Sequence, residues 1–426
     1  MNAHHPPNAH HPALSRPLAL ARAALLPCVF AAILCASLAS LPAAPKPGDT
    51  LPPWSEGFLD IHFINTGVGE SAFYILPDGT TMLVDAGVSS GKPPWRHPAV
   101  PSDERTAGEW IARYIDRALQ SAPKKIINYV LLSHYHEDHM GTINERTKQS
   151  TLGNYKASGL TEIADHIPYE KFIDRSWPVY EGDGGPWNDA KMKNYAKFIA
   201  WQQKHKGMLM ERFIVGVNDQ IVLRNNPSKY PEFEIRNIAA GGIVWTGKGT
   251  ETHNAFKSVK SGARSENRCS IAFRLSYGPF KFFSGGDIND KDSEASPPTD
   301  TETPVAQATG PVSALKANHH GNYDANGFNF LRTLRPRVIV IPTWAASHAS
   351  MSTWRRMKAT YPGPRDVFAT CIVEATALAI HEVKAQASGH IVIRVSPGGR
   401  EYFVHRLTDA DESGRIKTIS GPYSAE

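Results

Sequence analysis

"LLSHYHEDHMGTI", residues 131–143, packs three histidines and two acids into the six residues of "HYHEDH". The run before it, "KIINYVLLSH", is apolar and rich in Ile, Val and Leu, which predicts a buried strand feeding directly into His134. The cluster therefore falls at the carboxyl end of a strand, where loops commonly build sites. His134 and His136, two residues apart on an extended turn, project side by side. Asp138 and His139 follow once the chain bends, and can face a neighbouring position. Imidazole and carboxylate donors suit a divalent ion of the zinc type, with manganese or iron(II) as alternatives. One such segment can feed two ions at the short separation used in two-metal hydrolysis.

Two further segments offer partners. Asp287, in "FFSGGDIND", follows a hydrophobic run and a double glycine. A carboxylate there can bridge two ions. His319 and His320, in "LKANHHG", also follow a predicted strand. One of them can complete the second ion's donors, and the other can support it or touch substrate. The candidate metal residues are thus His134, His136, Asp138, His139, Asp287, His319 and His320, supplied by three strand ends.

The remaining pattern is mixed. "DIHFI", "SAFYIL" and "TMLVDA" read as strands, with "PDG" as the hairpin turn between the last two. "ERTAGEWIARYIDRALQ" has helical periodicity, with Trp110, Ile111, Tyr114, Ile115 and Leu119 on one face. A helix is expected around Asp189–Lys204. "CSIAFRLSY" and "FKFFSGG" form a second hairpin about the turn "GP". "PRVIVIPTW", "TALAIHEVKA" and "GHIVIRVSPGGREYFVHRL" are read as strands and "STWRRMKAT" as a short helix. Strands and helices recur in both halves, which predicts an α/β chain with sheet in each half.

Bulk properties agree with a globular protein. The chain has 426 residues, 41% of them hydrophobic and 20% charged, with a formal net charge of +5. Its first residues carry arginines and no acid before Asp49, and Ala23–Leu41 is apolar or small. That is the pattern of an export signal, with a single uncleaved anchor as the alternative. A periplasmic or extracellular location follows as an expectation. Of four cysteines, Cys28 and Cys35 lie in this leader. Cys269 and Cys371 allow one disulfide or two buried thiols.

Together the motifs resemble the metallo-beta-lactamase fold superfamily, whose signature is H-x-H-x-D-H. More closely, they are similar to the soluble hydrolase domain of bacterial competence proteins of the ComEC type. Asn65-Thr66-Gly67-Val68-Gly69-Glu70-Ser71 stands where that family has D-V-G-Q-G-D-S. "TMLVDAG" (81–87), "ENRCSIAFRLSYG" (266–278), "FSGGD" (283–287) and "LKANHHG" (315–321) match its later elements. "IPTWAASHAS" (341–350) sets His348 at the family's late histidine. The resemblance implies an αββα sandwich over about residues 59–400, with the metals at one edge of the paired sheets. It gives a leader at 1–44, a hydrolase domain at 55–410 with an insertion at 145–240, and a tail at 411–426. It implies two divalent ions and attack by a metal-bound hydroxide. Asp287 bridges and orients, Asp138 serves the second ion, and His348 either contacts substrate or leaving group or is a satisfied core histidine.

Three departures stand out. Asn65 and Glu70 replace acids of the family turn. A further metal histidine, common between the first motif and the bridging acid, has only His166, His205 and His253 as candidates, none in a family context. No stretch repeats the several spans of the competence channel, so DNA uptake is not carried over. The expected substrate is an anionic small molecule or phosphodiester, with lactams, lactones and thioesters as the carbonyl alternatives and a non-catalytic metal-binding protein as the third. Nucleic acid rests on the resemblance and on one modest basic patch, residues 258–268, with Lys260, Arg264 and Arg268.

Overall fold

A computed structural model describes residues 44–181, 185–257, 265–290, 300–383 and 388–426. The leader, Lys260 and Arg264 lie outside the described residues. Among those described, no helix is long and apolar enough to cross a membrane. The chain divides into two units, Met1–Ala44 and Pro45–Glu426, and the second carries all that follows.

That unit holds seventeen described strands. In chain order they are β1 (Leu59–Phe63), β2 (Ser71–Ile75), β3 (Thr81–Ala86), β4 (Ile127–Leu131), β5 (Tyr169–Asp174) and β6 (Leu209–Arg212), then β7 (Phe233–Ala240), β8 (Ile243–Trp245), β9 (Thr252–Asn254), β10 (Ala272–Tyr277), β11 (Phe280–Ser284) and β12 (Ala314–Lys316), then β13 (Val338–Ile341), β14 (Asp366–Ala369), β15 (His390–Val395), β16 (Glu401–Leu407) and β17 (Ile416–Ser424). One sheet has the order β17-β16-β15-β1-β2-β3-β4-β5-β6, the other β14-β13-β12-β11-β10-β7-β8-β9. The first is antiparallel up to β3 and parallel from β3 to β6. The second is antiparallel from β9 to β11 and parallel from β11 to β14.

Three apolar layers follow from strand alternation. Ile61, Phe63, Tyr74, Phe273, Leu275 and Phe282 lie in the layer shared by the two sheets. Phe73, Ile75, Val130 and Phe172 pack under helices Ala107–Ala118 and Ala190–Lys206. Phe283, Leu315, Ile339 and Ile341 pack with Val305, Phe330, Leu331 and Trp354 from three helices on the other outer face. This is the αββα sandwich. The helix expected at 189–204 is capped by Asp189, whose side chain accepts from Met192 N, and runs to Lys206 before Gly207. Trp110 sits half-buried rather than in the core, beneath the guanidinium groups of Arg105 and Arg113.

Four expectations differ. The stretch read as an insertion, 145–240, supplies β5 and β6 to one sheet and β7 to the other. Residues 416–424, read as tail, form edge strand β17, with Tyr423 stacked on Tyr402 at 5.1 Å. Pro422 hid it, yet proline is tolerated on an edge strand. The described residues of "TALAIHEVKA" form no strand: Glu374–Ala379 is helical and His381–Val383 a 3-10 turn. A short apolar run cannot be typed by periodicity alone, and Ala, Leu and Glu favour helix. Arg268 is not a surface cation. It is buried, and its Nε donates to Asn289 Oδ1 at 3.3 Å. Cys269 and Cys371 are both buried thiols, not a disulfide.

Three histidines are buried on the α-helical side of the first sheet. His62 and His405 flank Val392 across β1, β15 and β16, beside the Asp60–Arg394 ion pair, and His390 accepts from Asn65 N. Burial above all pushes each imidazole down to about 4. Unfolding frees them to bind protons near pH 6.5, whereas the folded chain binds none until about 4. The contribution of these imidazoles to the stability of the metal-free chain should therefore fall between pH 6.5 and 4, by on the order of 1–3 kcal/mol per histidine. Denaturant titrations at pH 7 and 5 check this, and His405→Leu should flatten the slope.

Candidate metal centre

The three strand ends meet at the same edge of the sandwich. β4 ends at Leu131 and delivers His134; a short helix, Glu137–Met140, then turns Asp138 and His139 back toward it. β11 delivers Asp287 through Gly285-Gly286. Gly286 has φ +53, and a Cβ there would lie 2.8 Å from that of Ser270 and 3.0 Å from that of Ser133. β12 delivers the histidine pair, both in left-handed conformation with φ of 45° and 51°. Asp85, at the end of β3, is left-handed too, at 59°. Such strain persists where the surroundings over-determine it, and here three instances surround one point. The "DAG" of β3 also needs its glycine. A Cβ on Gly87 would lie 1.6 Å from the backbone oxygen of Asp138.

Six of the seven candidate residues converge into two donor groups. In one, His134 Nε2 is 3.1 Å from His136 Nδ1 and 3.7 Å from Asp287 Oδ2. In the other, His139 Nε2 lies 3.1 Å from Asp287 Oδ2 and 3.2 Å from His320 Nε2. His320 Nε2 is 3.1 Å from Asp138 Oδ2 and 3.4 Å from Asp287 Oδ2. One oxygen of Asp287 is common to both groups. The seventh, His319, turns away: Nδ1 faces Asp324 Oδ1 at 2.7 Å and Nε2 accepts from Asn267 Nδ2 at 3.3 Å. His348 is only 4% exposed. Its ring stacks on His320 at 4.6 Å, and its Nδ1 accepts from Ala345 N, so it braces His320 from behind. The alternative histidines are remote in character as well as motif. His166, His205 and His253 are all exposed.

The imidazoles are held by their other nitrogens, as metal ligands require. His139 Nδ1 faces Asp85 Oδ2 at 2.8 Å, and Asp85 in turn accepts from Ser133 N and Oγ. His320 Nδ1 faces Pro342 O at 2.9 Å and Glu70 Oε2 at 3.3 Å. Burial disfavours a charged His139, but Asp287, Asp138 and Asp85 outweigh it and raise its pKa well above the usual value. Burial likewise opposes charge on Asp287, yet His139, His320 and Lys316 hold it well below the usual carboxylate range. Burial and neighbouring His139 keep His134 neutral. Carboxylates outnumber fixed cations around a buried, imidazole-lined space. The donor set fits divalent ions bound by nitrogen and oxygen.

Two residues the sequence reading did not place as partners complete the centre. Lys316 is fully buried; its Nζ lies 2.9 Å from Glu70 Oε2 and 3.5 Å from Asp287 Oδ1, and donates to Gly286 O at 2.6 Å. Glu70 thus reaches from the turn before β2 to a lysine of β12. The Lys in "LKANHHG" was the available signal, since a lysine inside a buried strand needs a carboxylate. Asn65, the other departure, serves the turn instead, accepting from Gly67 N and donating to Asp409 Oδ2.

Residues 65–217 match the model of the metallo-beta-lactamase superfamily. The metallo-beta-lactamase span includes Glu70, Asp85 and the "HYHEDH" segment and stops short of Asp287. The two sheets with helices on both outer faces agree with that superfamily's sandwich. A solved structure from Parabacteroides distasonis ATCC 8503, provisionally named a metal-dependent hydrolase, is similar at 12% identity, covering 76% of this chain and 98% of that chain, with a TM-score of 0.35. A likeness that slight carries no functional argument. No curated protein matches this chain.

Removing Lys316 alone would strand a buried carboxylate. Lys316→Met should destabilise the metal-free chain by about 3–5 kcal/mol, and Glu70→Gln in the same chain should recover most of the loss. Urea unfolding of the single and double variants measures both.

Proposed function

We propose that this chain is a metal-dependent hydrolase that holds two divalent ions, zinc in the first instance, and cleaves a phosphodiester. The observation that carries the reading is Asp287 Oδ2, shared between a His134–His136 group and an Asp138–His139–His320 group. Two-ion centres stabilise both the attacking and the leaving oxygen of a displacement, and lower the pKa of water, when loaded.

The chain's own residues do the positioning. Lys316 draws Asp287 Oδ1 inward and leaves Oδ2 to the donor groups. Asp85 fixes the ring of His139, and Pro342 with Glu70 fixes that of His320. Asp138 and His136, both only partly buried, stand at the open side of the centre, where substrate must arrive. His348 acts through His320. The net positive charge and the likeness to ComEC-type hydrolase domains support an anionic, phosphate-bearing substrate. The leader-like first 44 residues extend the proposal to an exported enzyme.

Metal analysis and a substrate panel test it together. Chelator-sensitive turnover of bis-p-nitrophenyl phosphate and oligonucleotides is expected. Turnover confined to nitrocefin or lactones would make it a carbonyl hydrolase, and none despite bound metal would make it a binding protein. Asp287→Asn should lower occupancy of both ions, His320→Ala and His134→Ala of one each. For each, activity should fall by at least the roughly 10–100-fold typical of losing a ligand's support.

A further inference from the structure

Residues 88–98 form a loop tied at both ends to the metal centre. At its start, Val88 N donates to Glu137 O at 2.8 Å, and Ser90 N and Oγ donate to Glu137 Oε1 at 2.9 and 2.7 Å. Glu137 lies between His136 and Asp138. At its far end His97 N donates to Trp344 O and Ala346 N to Trp95 O, each at 2.8 Å, around a bridge between Arg96 and Ala345. Trp344 packs edge-on against His348 at 4.9 Å and His320 at 6.0 Å. Trp95 packs on Trp344 at 5.5 Å and is 51% exposed, the most exposed tryptophan among the described residues.

An indole left half in water forfeits apolar burial, and here backbone hydrogen bonds at both ends of the loop and the contact with Trp344 hold it there. Its neighbours are cationic. Residues 88–102 contain Lys92, Arg96 and His97 and no acid. Arg96 spends its guanidinium on Gly91 O and His97 O. Lys92 is exposed and has no acidic partner among the described residues. A fixed aromatic face beside an uncommitted cation is the pairing that binds a base and its phosphate.

We propose that Trp95 is a stacking platform for an unpaired base of a nucleotide or single-stranded substrate, with Lys92 meeting its phosphate. This rests on the phosphodiester reading and names its substrate class. Because the platform is preformed, little ordering entropy opposes stacking.

Binding of hydrolysis-resistant phosphorothioate strands to the metal-loaded full chain tests it, read by fluorescence anisotropy with an oligothymidylate and an abasic strand of equal length. The thymidylate should bind more tightly. Trp95→Ala should weaken it about tenfold or more and leave the abasic strand unchanged, while Trp95→Phe should keep most of the affinity. Equal binding of both strands by the parent chain overturns the proposal, as does a Trp95→Ala variant, with metal content and melting temperature intact, that binds thymidylate like the parent. Turnover of bis-p-nitrophenyl phosphate separates the two readings. Hydrolysis with no base preference in binding defeats the platform alone. Trp95-dependent binding without metal-dependent turnover defeats the hydrolase alone.

Discussion

The centre depends on holding one carboxylate, Asp287, fully charged inside the protein. Burying an ionised carboxylate is expensive unless it is paired and hydrogen-bonded. Asp287 N donates to Ser270 Oγ, Lys316 lies against Oδ1, and His139 and His320 lie against Oδ2. Lys316 in turn needs Glu70, because one lysine between two acids is held only if both are near. Glu70 N donates to Asp138 O and Gly87 N to Glu70 O, so the same residue ties the first turn to the metal motif. The chain of dependence runs from Asp287 through Lys316 and Glu70 to Asp138, and every link is buried or nearly so.

The fold explains why so many costly groups can meet. β4, β11 and β12 deliver their loops at one edge, and β3 delivers Asp85 there as well. Regular strands upstream are anchored in apolar layers, so strain in the loops is borne by the sandwich. The left-handed Asp85, His319 and His320 and the close approach at Gly87 are local costs. They are tolerable because each side chain is bonded on its far side. His319 shows the rule by exception: adjacent backbone, the same strain, but a side chain bound to Asp324 outside the donor groups.

Much of this was legible in the chain itself. Four candidate ligands in six residues after an apolar run marked the motif, and a double glycine marked the turn before Asp287. Both hairpins and the helix begun by Asp189 follow local rules of period and capping. What escaped reading depends on tertiary neighbours. No local signal pairs Glu70 with Lys316, 246 residues apart by their numbers, or decides between His319 and His320, since that choice is made by Asp324 and Pro342. β17 was concealed because its proline is acceptable only on an edge, and edges are set by the sheet. No local signal marks Trp95. Its meaning comes from Glu137 and Trp344, which fix it beside the histidines.

The two donor groups are not equivalent, and the difference follows from their surroundings. In the Asp138–His139–His320 group both imidazoles are buried, and they are oriented by Asp85, Pro342 and Glu70. The His134–His136 group has three protein donors and a partly exposed His136. The ground beside it is taken by an ion pair, Glu266 with Arg175 at 2.6 Å, and Glu266 also accepts from Tyr135 N. A carboxylate already committed to a guanidinium and a backbone amide has little left to offer a cation. An ion there would have three protein donors, which would leave positions for water and substrate, the condition of a catalytic rather than a structural site. Fewer donors and openness toward substrate would therefore be one property. On the proposed reading the more buried group would anchor an ion, and the one with the partly exposed His136 would leave room for substrate.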